Sequence, residues 1–160
     1  MASQLIAELQ VSKSFVSHLS KNPTKFYFGK ERSKMKFGRE QRDDQGYPKK
    51  RFTLAPISFL KFKQRAINKY LQQIKLPKCM FGAVVGKNNI KNALKHVYAD
   101  YFFTIDLKDF FLNISNKQIN RVLRSHGFLW EDARLITKLC TTNRCLPQGA
   151  PTSSTLANIA

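Results

Sequence analysis

The stretch Tyr101-Phe102-Phe103-Thr104-Ile105-Asp106-Leu107-Lys108-Asp109-Phe110-Phe111 decides how the chain is read. Tyr101 to Ile105 is an apolar run of aromatic and β-branched residues, which predicts a buried strand. The run ends on a carboxylate, Asp106, with a second acid, Asp109, three residues on. A carboxylate at the tip of a buried strand is costly without a cation or a hydrogen-bond network. Hard oxygen ligands at a strand edge suit Mg²⁺, whose remaining positions go to water and substrate phosphates. The plainer reading is an Asp opening a turn, a role in which Asp is common.

Composition narrows the choice. The 160 residues suffice for one modest domain with a real core. Lys and Arg number 28 against 10 Asp and Glu, a net charge of +18, and hydrophobic residues make up 42%. Such a chain is globular rather than a disordered basic tail, and its excess charge, with 13 Phe and 5 Tyr, points to a polyanion such as nucleic acid. No apolar run approaches the ~18 residues of a membrane span, and no signal-peptide pattern opens the chain. Cys79, Cys140 and Cys145 form no CxxC pair, which fits reduced thiols and a cytoplasmic location. His18, His96 and His126 show no zinc spacing.

Taken in order, residues 1–22 read as two short helices, with Leu5, Ile6 and Leu9 on one and Phe15, Val16 and Leu19 on the other, Ser12 or Ser14 capping the second. Lys25 to Phe28 reads as a strand, residues 29–50 as a mobile basic loop, and Arg51 to Pro56 as the returning strand. The loop's charge density suits phosphate contact. Ile57 to Leu76 is the clearest helix: Leu60, Ile67, Leu71 and Ile74 share one face, and Lys61, Arg65 and Lys69 share another that could track a nucleic-acid backbone. A turn near the core is expected at Phe81–Gly86, then a helix over 89–98 with Ile90, Ala93, Leu94 and Val97 inward and a structural His96. Ser115 to Gln118 is a capping-box pattern opening a helix that stops at Gly127. Trp130 to Cys140 is another helix, and Leu146 to Ser154 a turn-rich loop whose hydroxyls could cap the last helix, Thr155–Ala160.

Two of these stretches resemble the palm motifs of reverse transcriptases. Phe102 to Phe111 is similar to the first catalytic motif, an apolar strand ending in Asp with an aromatic five residues later. About 40 residues on, Leu146-Pro147-Gln148-Gly149 with a downstream Ser and Leu156-Ala157-Asn158 is similar to the next motif. Upstream, Arg51, Pro56, Leu60-Lys61 and Gln64-Arg65 resemble the fingers of bacterial enzymes, and Asn92-Ala93-Leu94-Lys95-His96 resembles an element of retron-type enzymes. The resemblance implies an α+β fold: a helical segment 1–24, fingers over 25–100, and the first half of a right-hand polymerase palm over 101–160.

It also implies roles. Asp106 would be the catalytic carboxylate and a metal ligand, with the Leu107 carbonyl beside it. Lys108, Asp109 and Phe110 would line the triphosphate through their backbone. Phe111 would be the steric gate against a 2′-hydroxyl; Gln148 and Gly149 would lie against the incoming nucleotide and template. Arg51 would reach the triphosphate, with Lys49, Lys50, Lys61, Arg65 and Lys69 on nucleic acid. The cofactor implied is a pair of Mg²⁺ ions; the partners are a template RNA, a DNA product, deoxynucleoside triphosphates and an effector protein, with a role in anti-phage defence. The sequence departs from the pattern at Ser154, where Pro is usual, and at Asn113, where Ser is usual. The second carboxylate motif, Tyr/Phe-x-Asp-Asp, is not reached by Ala160, so the 160 residues are expected to hold one catalytic carboxylate of three and not to polymerise alone. The alternatives are another defence-associated reverse transcriptase, template-free or with a different RNA, a catalytically inactive nucleic-acid-binding module of the same fold, and a basic structural RNA-binding protein.

Overall fold

The computed structural model describes residues 9–160. Leu5 and Ile6 of the first expected helix therefore lie outside the described residues. Helix α1 (Lys13–Lys21) is capped by Ser12, whose hydroxyl accepts from the Phe15 N–H, and it buries Leu19. A 3₁₀ turn, Pro23–Phe26, leads into β1 (Tyr27–Ser33). Two short strands, β2 (Met35–Lys36) and β3 (Arg39–Glu40), pair with each other, and β4 (Lys50–Pro56) returns antiparallel to β1 in the register Tyr27↔Pro56 to Ser33↔Lys50. The strand expected at 25–28 thus begins at Tyr27 and runs further. The expected mobile loop is instead a paired extension of the hairpin, closed by an Arg42↔Pro48 bridge. Its alternating backbone pairs satisfy N–H and C=O groups that a free loop would leave to water.

Helix α2 (Ser58–Leu71) buries Leu60, Ile67 and Leu71, as its period requires. Its Gln64 is also buried: the side-chain amide donates to the Tyr27 hydroxyl at 3.0 Å and to the Leu139 carbonyl at 2.8 Å. One residue thereby ties hairpin, α2 and a later helix together. Helix α3 (Asn89–Ala93) runs into a 3₁₀ turn, Leu94–His96. Helices α4 (Phe110–Asn113), α5 (Asn116–Ser125), α6 (Trp130–Cys140) and α7 (Ser153–Ile159) follow. Ser115 completes the expected capping box: its hydroxyl accepts from the Gln118 N–H, and the Gln118 side chain accepts from the Ser115 N–H. The core draws Leu19, Leu60, Ile67, Ile119, Leu123, Ile136, Leu139, Leu146 and Leu156 into one cluster. The last helix is not hydroxyl-capped as expected; Ser153 Oγ donates to the Pro147 carbonyl at 2.6 Å and braces the loop.

Two expectations fail. Tyr101 to Ile105 forms no strand and is not buried: Tyr101 is 93% and Phe103 90% exposed. A strand needs a neighbour's N–H and C=O groups, and among the described residues no strand is paired with this segment. Likewise the 89–98 helix is short, and Ile90, Leu94 and Val97 face outward, because no described element packs over them. Phe81–Gly86 forms turns as expected, its Gly82 carbonyl accepting from the Asn158 amide of α7. The fold is a mixture of helix and strand, and no helix among the described residues is long and apolar enough to cross a membrane.

Candidate functional site

Three elements converge on one surface: β4, the Asp106–Asn113 segment and the Leu146–Ser154 loop. The loop is held to the hairpin by its backbone, since the Leu54 N–H donates to the Gln148 carbonyl at 2.8 Å. Gly149 makes this approach feasible. Its φ is +126°, and a Cβ there would lie 3.2 Å from the Leu54 carbonyl oxygen. Only glycine occupies such a backbone region freely. Buried Leu146 and Ala150 anchor the loop on either side of the exposed turn.

Two adjoining clefts flank the Gln148 turn. One, of about 510 Å³, is lined by Lys34, Lys50, Arg51, Phe52, Leu54, Asp106, Leu107, Asp109, Phe110, Phe111, Leu112 and Gln148. The other, of about 530 Å³, is lined by Arg51, Thr53, Lys61, Arg65, Phe111, Gln148, Gly149 and the start of α7. Arg51, Phe111 and Gln148 wall both. Asp106 therefore faces the same space as Gln148, although 42 positions separate them in the chain.

The electrostatics suit an anion. Arg51 stands opposite Arg32 in the β1–β4 register. Like charges directly opposite on one face destabilise a hairpin, and neither guanidinium has an ion-pair partner among the described residues. Lys50 does: its ammonium lies 2.9 Å from Glu31, which raises its pKa by hydrogen bond and charge. Lys50 thus reaches the cleft with its charge already shared. Lys61 and Arg65, one turn apart on the wet face of α2, remain free to meet phosphates in the second cleft.

Asp109 initiates α4 from the left-handed region, φ +50°, and its side chain caps nothing. A non-glycine residue held there stores strain of order 1–3 kcal/mol, a frequent mark of functional segments. Asn113 steadies it, its amide donating to the Lys108 and Asp109 carbonyls. The rings of Phe110 and Phe111 meet edge to face, 5.9 Å between centroids.

Of the residues singled out from the sequence, Asp106, Leu107, Asp109, Phe110, Phe111, Lys50, Arg51, Lys61, Arg65, Gln148 and Gly149 line these clefts. Lys49, Lys69 and Lys108 do not. Lys34, from the basic 29–50 run expected to meet phosphate, lines the first cleft, and Phe52 and Thr53, which the sequence does not single out, line the clefts as well. Thr53 lies two residues from Arg51, so strand alternation places both on one face; Lys34 belongs to a run whose charge, but not its pairing, is legible in the sequence. Asn158 carries a structural task, its amide donating to the Gly82 carbonyl at 2.7 Å.

Asp106 and the Leu107 carbonyl offer hard oxygens of the kind Mg²⁺ takes. Among the described residues no three His, Cys, Asp or Glu side chains come together. Among the described residues these oxygens do not by themselves make a full divalent-cation shell.

Comparison with known proteins fits this geometry. The family described as reverse transcriptase (RNA-dependent DNA polymerase) matches residues 47–160. Retron Mx162 reverse transcriptase of Myxococcus xanthus is 30% identical over 128 residues, covering 68% of this chain and 26% of the relative. Retron Se72 reverse transcriptase of Salmonella heidelberg is 32% identical over 113 residues, 69% of this chain and 30% of the relative. Retron Ec86 reverse transcriptase of Escherichia coli is 37% identical over 70 residues, 44% of this chain and 22% of the relative. The chain spans roughly a quarter of the length of these curated relatives. The matched region contains Arg51, Asp106, Phe111 and Gln148, the residues that meet at the clefts, and the chain belongs to the reverse transcriptase family.

Proposed function

We propose that these residues are the helical lead-in (1–24), fingers (25–100) and first half of the palm (101–160) of a retron-type reverse transcriptase. The enzyme would copy a structured noncoding RNA into DNA from deoxynucleoside triphosphates, in anti-phage defence with an effector protein. The single observation that carries the reading is the shared cleft of Asp106, Phe111, Arg51 and Gln148, brought together from three separate parts of a chain in this family.

On this reading each residue has a distinct task. The Arg51 guanidinium, opposed by Arg32 and without an acid, receives the triphosphate, its planar fork matching phosphate oxygens. Lys108, Asp109 and Phe110 meet the same triphosphate through their backbone. The Phe111 ring, at the seam of both clefts, lies beneath the sugar and excludes a 2′-hydroxyl by volume. Gln148 and Gly149 meet the base pair, and Lys61 and Arg65 take backbone phosphates, extended by Lys69 along α2, by Lys50 at the start of β4 and by Lys49 just before it. Asp106 and the Leu107 carbonyl supply part of the shell for Mg²⁺, the rest coming from carboxylates outside these residues. When bound, Mg²⁺ neutralises charge on the transferring phosphoryl group and on the attacking 3′-oxygen. The exposed apolar run Tyr101–Ile105 pairs, in the whole enzyme, with palm strands outside these residues.

The test is primer extension by the full-length enzyme. Asp106→Asn should lower extension roughly 10³-fold or more, the several kcal/mol that metal-held charge stabilisation supplies, while RNA binding persists. Phe111→Ala should admit ribonucleotides. Wild-type extension by Asp106→Asn would sink the assignment.

A further inference from the structure

Helix α5 carries a basic face that the clefts do not use. Lys117, Asn120, Arg121 and Arg124 recur at helical spacing, while Ile119 and Leu123 are buried on the opposite side. Residues 110–130 contain no Asp or Glu. The helix ends before Gly127, whose φ of +86° turns the chain back so that Phe128, Leu129 and Trp130 stand beside it. The Arg124 guanidinium lies 5.5 Å from the Trp130 ring centroid. Together these residues wall a depression of about 630 Å³ that shares no lining residue with the two clefts.

A solvated helix face accounts for the cations alone. It does not account for the Arg124 guanidinium set over a half-exposed Trp130 ring at the edge of the depression those cations wall. Cations without an ion-pair partner among the described residues, Glu131 beside Trp130 included, together with an accessible aromatic and a stacked Arg, are the two parts of a single-strand platform. The cations take phosphates, and the ring takes an unpaired base.

We infer that this face binds single-stranded RNA, at a site apart from the cleft and independent of its chemistry. Lys117 and Arg121 hold successive phosphates, and a base stacks on Trp130 at the edge of Arg124. Asn120, partly buried between the cations, both donates and accepts, as recognition of a 2′-hydroxyl requires.

Trp130 is the single tryptophan of these 160 residues, so in this chain, used for the titrations below, its emission reads the site directly. Titration with an octamer of uridylate at low salt should quench that emission saturably, with a log–log salt slope of about −1.4 for two phosphate contacts on a single strand. Lys117→Glu with Arg121→Glu, both on the surface, should weaken binding about tenfold or more while the circular dichroism spectrum is unchanged. By fluorescence anisotropy with a labelled octamer, Trp130→Ala should lose about tenfold and Trp130→Phe much less, because every aromatic face stacks. A deoxyuridine octamer should bind more weakly. The cleft variant Arg51→Ala with Lys61→Ala and Arg65→Ala should leave the quenching curve within about twofold. Absence of quenching, or quenching indifferent to the Lys117 and Arg121 reversals, overturns the site. Loss of quenching in the cleft variant overturns its independence, and equal affinity for the deoxy octamer overturns the assignment to RNA. Primer extension can fail while quenching persists, so the catalytic proposal and this one fall separately.

Discussion

At position 149 the backbone itself sets the requirement. With φ at +126° and the Leu54 carbonyl 3.2 Å from where a Cβ would stand, Gly149→Ala meets both strain and a clash. It should destabilise by about 1–3 kcal/mol, read as a lower urea midpoint, and should loosen the Leu54–Gln148 hydrogen bond. Burial governs Cys140 in another way, pushing its thiol up to about 12. The Tyr27 phenol is also raised, by burial first and by nearby Cys140 second, against the Gln64 hydrogen bond. A raised pKa means the folded state favours the neutral form. The stability these groups contribute is therefore full below the ordinary thiol value of 9.0 and is lost as pH rises toward 12. The thermal midpoint should fall across that window, less steeply in Cys140→Ala. Alkylation at pH 8, read by mass spectrometry, should mark exposed Cys79 and spare Cys140 until unfolding.

Among the elements, those read correctly from sequence carry their own instructions. Helix α5 has its capping box and its buried Ile119 and Leu123 within ten residues. Ser115→Ala should cost about 1 kcal/mol, measured by chemical denaturation, and should fray the first turn of α5 by hydrogen exchange. Helix α6 spans Trp130–Cys140, as its period demands, with Ala133, Ile136, Leu139 and Cys140 all buried. The hairpin was legible at its β4 strand but not in its extent, because β1 runs through Gly29 and three charged residues. Phe52 lies over Gly29, its ring atoms 2.6 Å from where a Cβ would be. A large aromatic thus covers the bare glycine across the strand pair, a contact that neither residue announces alone.

Across the whole molecule, apolar surface is unevenly covered. Tyr98, Tyr101, Phe102, Phe103, Ile105 and Leu107 are all more than half exposed, a run of the kind that marks an interaction surface. Phe103→Lys in this 160-residue chain should change unfolding free energy by less than ~0.5 kcal/mol, as surface substitutions do, and should raise solubility; a large loss of stability would mean the ring is packed. Local chemistry alone determined the caps, the helical periods and the two palm-like motifs, because each depends on residues within a turn or two of one another, and composition alone determined the basic charge. Tertiary structure alone decided that Tyr101–Ile105 lies bare, since strand formation depends on a partner that side-chain pattern cannot supply. It also decided that Asp106, Arg51 and Gln148 share a cleft: parts of the chain far apart in sequence meet there, β4 and the loop joined by a backbone hydrogen bond made feasible by the missing Cβ of Gly149, and no local pattern encodes such a contact.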